Sequence, residues 1–160
     1  MTQVAGRAGR SALAGEVVIQ TYQPQHDSLK HVITHDFRGF YEEELSFRRE
    51  LDYPPFSRIV MIELRGEREP EVMRHAQELA ELLKRHKPHF IMLGPATAAI
   101  AKLKGMYRWH IVIKDLKSTD PSGQRMQRVL QMVFQLYKTS GLGKSRAVRL
   151  IIDIDPVGMM

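Results

Sequence analysis

Leu93-Gly94-Pro95-Ala96-Thr97-Ala98-Ala99-Ile100-Ala101-Lys102-Leu103-Lys104-Gly105-Met106-Tyr107-Arg108-Trp109-His110-Ile111-Val112-Ile113-Lys114-Asp115 is the stretch whose reading decides the fold. Its second half alternates. Tyr107, Trp109, Ile111 and Ile113 share one face, and Arg108, His110, Val112 and Lys114 the other, the period-two pattern of a half-buried strand. The Lys102-Leu103-Lys104-Gly105 segment supplies a turn, so the stretch reads as a long hairpin with a basic tip. Its first arm starts at Phe90 to Leu93, and the small-residue run Ala96 to Ala101 lies between that start and the turn. The polar face of the second arm is mostly cationic and points outward.

Working outward, a strand precedes the hairpin over Arg58 to Arg65, with Val60, Ile62 and Leu64 on one face. A helix follows over Glu69 to Lys87, its stripe carried by Val72, Ala76, Leu79, Ala80 and Leu83, and Pro88 ends it. Beyond the hairpin, Asp120 as N-cap and Pro121 as first helical residue open a second helix. Its stripe is Met126, Val129, Leu130, Val133, Phe134 and Tyr137, and Gly141 closes it. Arg146 to Asp155 forms the last strand, with Val148, Leu150, Ile152 and Ile154 inward. The order β-α-β-β-α-β is the split βαβ, ferredoxin-like arrangement, an α+β class. It places both helices on one face of a four-stranded antiparallel sheet. The other face is left for solvent or a partner, lined by Arg108, His110, Lys114, Arg149 and Asp153.

Residues 23–56 read as a helical connector. Asp27 caps a short helix through about Ile33. Phe37 to Leu51 is a second, charge-dense helix whose buried side is Phe40, Tyr41, Leu45 and Leu51. Leu51-Asp52-Tyr53-Pro54-Pro55-Phe56 reads as a rigid extended link. His31 and His35 stand four apart, a spacing that can chelate a metal, but no third ligand is near and no metal site is assigned. The domain division is therefore 1–22, 23–56 and 57–160.

Composition narrows the classes. The 160 residues include no cysteine, which excludes a disulfide framework and thiolate metal sites. No apolar run approaches the roughly 18 residues of a membrane span. The net charge of +6 is uneven: residues 1–70 hold 9 Lys+Arg against 11 Asp+Glu, and residues 71–160 hold 15 against 7. A basic half points to a polyanion or an acidic peptide as partner.

The N-terminal residues Gln3, Gly6, Arg7, Gly9 and Arg10 form Gln-x-x-Gly-Arg-x-Gly-Arg. This is similar to motif VI of superfamily 2 helicases, in which the arginines face the γ-phosphate of ATP bound between two lobes. Glu16 to Thr21 then resembles the last strand of a helicase second lobe, and residues 1–22 are read as a remnant of that lobe. A helicase also needs a phosphate loop. Gly141-Leu142-Gly143-Lys144-Ser145 is the only candidate, but its first glycine would fall on Lys138, and it follows a helix and precedes a strand, the reverse of the required context. It reads as a connecting loop, so the chain is expected to begin within a larger protein and not to hydrolyse ATP alone.

With the Glu44-Leu45, Arg48 and Pro54-Pro55-Phe56 link, Leu93-Gly94-Pro95, Gly105, Arg108-Trp109 and Asp153-Ile154-Asp155-Pro156, the chain resembles the C-terminal portion of the replication-restart DNA helicase family, the primosomal protein N′ proteins. The resemblance implies a ribosomal protein S10-like domain at the C-terminus of a 3′-to-5′ DNA helicase. It implies ATP and Mg, with Arg7 and Arg10 as the catalytic pair. It implies zinc on cysteines upstream, not in this segment. It further implies forked or single-stranded DNA, other primosome proteins and the acidic tail of single-stranded DNA-binding protein as partners, and a bacterial cytoplasmic, nucleoid-associated setting. DNA contact is assigned to Lys102, Lys104, Arg108 and Lys114. Tail docking is assigned to Arg125, Gln127 and Arg128, on the polar side of the last helix. The alternatives are a free-standing S10-like RNA-binding protein, against which the motif VI residues argue, and a small enzyme, for which the sequence holds no strong constellation. Asp153 and Asp155 share a strand face beside Pro156, where they end the strand.

Overall fold

A strand buried on both faces organises the molecule. The computed structural model describes residues 17–25, 27–86 and 89–156. Its elements are α1 (Asp27–Ile33), α2 (Phe37–Glu50), β1 (Ser57–Gly66), α3 (Glu69–Lys84), β2 (Ile91–Leu103), β3 (Met106–Leu116), α4 (Gln124–Thr139) and β4 (Val148–Ile154). The strands make one four-stranded sheet in the order β2-β3-β1-β4, antiparallel throughout. This order is compatible with the ferredoxin-like arrangement expected from the element sequence. The motif VI residues Gln3, Gly6, Arg7, Gly9 and Arg10 lie outside the described residues, as do Lys87 and Pro88.

Val60, Ile62 and Leu64 of β1, with Ile111 and Ile113 of β3, form the floor of the core. Val72, Ala76, Leu79, Ala80 and Leu83 of α3 cover it, as do Met126, Val129, Leu130 and Val133 of α4. Both helices therefore lie on one sheet face. On the other face Ile59, Met61 and Glu63 of β1 are also buried. That second face was expected to be open, and at its centre it is not.

Four local features differ from the sequence reading. The first arm of the hairpin runs through Ala96–Ala101 to Leu103: Ala96 and Thr97 pair with His110 and Trp109, and the ladder resumes at Lys102 after a second register shift. Gly94 sits at the first shift with φ 90, and a Cβ there would lie 2.7 Å from the His110 carbonyl oxygen, so the glycine is required by space as well as by torsion. The turn tightens to Lys104-Gly105, both at positive φ (51 and 81), the signature of a two-residue hairpin turn. The last helix begins at Gln124, not at Pro121. A turn closed by the Gly123 N–H on the Asp120 carbonyl precedes it, and the buried Asp120 caps it by accepting the Met126 N–H at 2.9 Å.

The fourth difference lies in the connector. No residue of α2 is buried, and Tyr41 and Leu51 are exposed. An amphipathic helix needs a surface to cover its apolar side, and seven-residue α1 offers only about two turns. The chain divides into two compact units between Phe47 and Arg48. In the second unit, residues 48–56 fold back instead of extending: the Tyr53 N–H donates to the Arg48 carbonyl at 2.7 Å, and the Arg49 guanidinium lies over the Phe56 ring at 4.9 Å.

One buried histidine ties α3 to α4. His75 is 3% exposed, and its Nδ1 lies 2.5 Å from Tyr137 Oη. Burial, with Glu78 adding to it, pushes the Tyr137 hydroxyl up to about 12, so that hydroxyl stays protonated within the pair. Burial lowers the His75 pKa, with Arg74 acting in the same sense and Glu78 and Glu71 opposing. The unfolded chain therefore binds a proton at higher pH than the folded one. The stability this pair confers is complete above the ordinary histidine value and is lost as pH falls below it. Denaturant midpoints taken from about pH 8 to about pH 5 are expected to fall more for the wild type than for His75→Phe. Equal slopes would show that His75 is not the acid-labile group.

Candidate functional site

The sheet face away from the helices carries an ionic cluster centred on Glu63. Register sets Glu63 opposite His110, and Arg65 opposite Arg108 on one side and Arg149 on the other. Glu63 is 3% exposed, and its Oε2 accepts from Arg108 Nε at 3.0 Å, Arg108 Nη2 at 2.6 Å and His110 Nε2 at 2.8 Å. Arg65 pairs with the other carboxylate oxygen. Burial lowers the His110 pKa first, and Arg108 and Arg65 repel a proton from it. His110 is thus the neutral donor to Glu63 despite standing at ion-pair distance.

This geometry corrects the expected cationic strip. Arg108 is 5% exposed and clamped by Glu63. It was read as outward because alternation along β3 assigns faces without showing what β1 places opposite. Lys114 Nζ donates to the Leu51 carbonyl at 2.9 Å and lies 4.0 Å above the Tyr53 ring, so it holds the link to the sheet. Lys102 and Lys104 are exposed at the hairpin tip as expected. Lys102 Nζ leans over the Tyr107 ring at 4.5 Å, which presents an aromatic body and a cation together.

The residues assigned to tail docking divide between two sides of α4. Arg125 and Arg128 line a cleft of about 410 Å³ with His86, His89, Ser122 and Gln124. Gln127 instead lines an apolar groove between α4 and β4, with Met126, Leu130, Phe134, Ile152 and Ile154. No local pattern joins His86 and His89 to Arg125 and Arg128: they stand before β2, and only the fold brings them to α4. At one end of the groove Arg58 Nη1 donates to Asp115 Oδ2 at 3.1 Å and to the Asp120 carbonyl at 2.8 Å.

Gly141 to Ser145 follows α4 and precedes β4, with the Ser145 N–H on the Leu142 carbonyl at 2.8 Å, a connecting turn. Asp155 ends β4: its Oδ1 accepts the Ile59 N–H at 2.9 Å. His31 pairs with Glu43 at 2.6 Å, and among the described residues no three His, Cys, Asp or Glu side chains are placed to hold a metal ion. No helix among them is long and apolar enough to cross a membrane.

The family model described as primosomal protein N C-terminal domain matches residues 49–157. The chain is similar to the replication restart protein PriA of Synechocystis sp., 36% identical over 160 residues, which covers 99% of this chain and 18% of that protein. It is 34% identical to the Bacillus subtilis protein of the same name over 161 residues, covering 100% and 19%. It is 32% identical to that of Haemophilus influenzae over 155 residues, covering 96% and 20%. The chain spans about a fifth of the length of these curated relatives.

Proposed function

The chain belongs to the primosomal protein N C-terminal domain family, and from that premise we propose that it serves replication restart as the DNA- and partner-binding C-terminal segment of an ATP-dependent 3′-to-5′ helicase. Its domain is of the ribosomal protein S10-like kind. ATP and Mg belong to the helicase core that Arg7 and Arg10 would complete, and zinc belongs upstream. The setting is the bacterial cytoplasm, at the nucleoid, with other primosome proteins.

The observation that supports DNA contact is the hairpin tip, where Lys102 and Lys104 are exposed beside the Tyr107 ring. Cations on a protruding turn follow a phosphate backbone without reading bases, and an adjacent ring offers a face to an unpaired base. The cleft between His86, His89, Arg125 and Arg128 supports docking of an acidic peptide ending in a carboxylate, such as the tail of single-stranded DNA-binding protein. Gln127 stands apart from that cleft, so it serves tail docking only for a peptide that crosses the first turn of α4.

A salt titration of binding to a forked oligonucleotide tests the DNA reading. Roughly three phosphate contacts give a log–log slope on the order of −3. Changing Lys102 and Lys104 together to Ala is expected to flatten it by roughly 1.5 units, with circular dichroism unchanged because both side chains are exposed. Arg108 is left in place, since its loss would disturb the Glu63 cluster. An unaltered slope would remove the hairpin tip from the DNA interface.

A further inference from the structure

We propose that Arg149 and Arg65 form a phosphate seat on the sheet face away from the helices, and that a nucleic-acid strand leaving the hairpin tip crosses the end of the sheet to reach it. This deepens the DNA reading and rests on it, because it names where the backbone runs beyond Lys102 and Lys104.

Register gathers the cations. Arg65 stands opposite Arg108 on β3 and opposite Arg149 on β4, so three arginines lie in one row across three neighbouring strands. The adjoining row is Lys102, Tyr107, Gly66 and Val148, one residue from each strand of the sheet. The hairpin tip therefore lies at the same end of the sheet as the arginine row. Arg146, exposed just before β4, adds a further cation there. Three inter-strand steps separate β2 from β4, about 14 Å, a span that a few nucleotides of one strand cover.

Like charges directly opposite one another destabilise a sheet, so such a row needs anions. The fold supplies one carboxylate, Glu63, and shares it between Arg108 and His110 on one oxygen and Arg65 on the other. Three guanidinium charges against that single carboxylate leave two in excess. Arg149 is exposed and makes no ion pair or hydrogen bond among the described residues. The Arg65 side chain, 38% exposed, keeps an open side although it pairs with Glu63.

The nearby acids do not close the seat. Asp153 lies four residues further along the same face of β4, about 13 Å away, opposite Met61. Glu67 is exposed beyond the end of β1 and points to no printed partner of Arg149. What remains is an open, cationic, polar surface continuous with the hairpin tip. Guanidinium forks there can hold the oxygens of a phosphodiester without reading a base. An acidic peptide also needs apolar surface beside its anchoring cations, and that surface lies on the helix side, along α4.

Salt titrations of the 160-residue chain on a forked oligonucleotide test this. Arg149→Ala is expected to weaken binding about fivefold and to flatten the log–log slope by about 0.9, with an unchanged thermal melt. Arg149→Glu is expected to weaken binding by roughly tenfold or more, whereas Arg149→Lys keeps the wild-type slope. Adding Arg149→Ala to Lys102→Ala with Lys104→Ala is expected to flatten the slope by the sum of the separate effects. An Arg149→Glu chain that binds the fork like wild type, while the lysine pair keeps its effect, would overturn the seat and leave the hairpin-tip reading standing. A wild type with no salt-dependent binding would remove the DNA reading and the seat together. An Asp-rich peptide ending in a carboxylate should bind Arg149→Glu as it binds wild type. Loss of that peptide with fork binding unchanged would give the row to an acidic partner, and would equally overturn the proposal.

Discussion

Glu63→Gln is expected to destabilise the domain by about 3 kcal/mol or more, the cost of breaking a buried ion pair by removing one partner. The carboxylate takes two hydrogen bonds from Arg108 and one from His110, and both Glu63 and Arg108 are at least nine-tenths buried. Without its charge, the Arg108 guanidinium keeps its desolvation penalty and loses its counterion, with Arg65 close by. For a domain whose whole stability lies in the range of about 5–15 kcal/mol, that is a melting midpoint lowered by roughly 10 °C. Arg149→Ala, on the same face but exposed, should change stability by no more than about 0.5 kcal/mol. Changing Glu63 and Arg108 together to Leu and Met should cost less than Glu63→Gln alone, because it removes the stranded charge along with its partner. Calorimetric melts of the three variants decide the matter. A Glu63→Gln protein within about 1 kcal/mol of wild type would show that solvent, not Glu63, neutralises Arg108.

The same cluster shows where reading the sequence reaches its limit. The order of elements was legible because each carries its own period: two in β1 and β3, between three and four in α3 and α4. The basic turn between Lys102 and Gly105 marked the hairpin. Position along a strand, however, says nothing of what a neighbour brings to it. Arg108 and Glu63 are 45 residues apart, and only the β1–β3 register sets them in one cluster. Glu63 itself was passed over as the polar member of an alternating strand, although an acid between Met61 and Arg65 on the outward side of a central strand is a signal that a cation stands opposite. Ala96 to Ala101 carries no period, so the extent of β2 was hidden. The start of α4 was misplaced because Asp120-Pro121 is a good opening pair, while the positive φ of Gly123 (75) delays the helix by one turn. The His86 and His89 side of the α4 cleft depends on the crossover, which no local pattern records. Alternation along β3 turns Lys114 outward, but it does not record that the link folds back so that Leu51 and Tyr53 meet it.

In the longer helicase that we propose carries this segment, Arg7→Ala should lower ATP turnover by roughly three orders of magnitude, the effect of removing an arginine that answers charge on a transferring phosphoryl group. Gln3, Gly6, Arg7, Gly9 and Arg10 complete the motif without a departure. In that reading the glycines would permit close backbone approach, and the planar guanidinium would grip two phosphate oxygens at once. Arg7→Lys should rescue little, because an ammonium group is a point charge without that fork. The 160-residue chain by itself should show no turnover with or without DNA, since Gly141 to Ser145 is a connecting turn between a helix and a strand, the reverse of a phosphate loop. Steady-state phosphate release from the helicase, its Arg7 variants and the isolated chain, each with a forked oligonucleotide, provides the measurement. The salt slope of DNA binding should be the same in the helicase and its Arg7→Ala variant, because the proposed roles in hydrolysis and in DNA contact fall to different residues. Turnover by the isolated chain, or an Arg7→Ala helicase within about tenfold of wild type, would take ATP chemistry away from this motif.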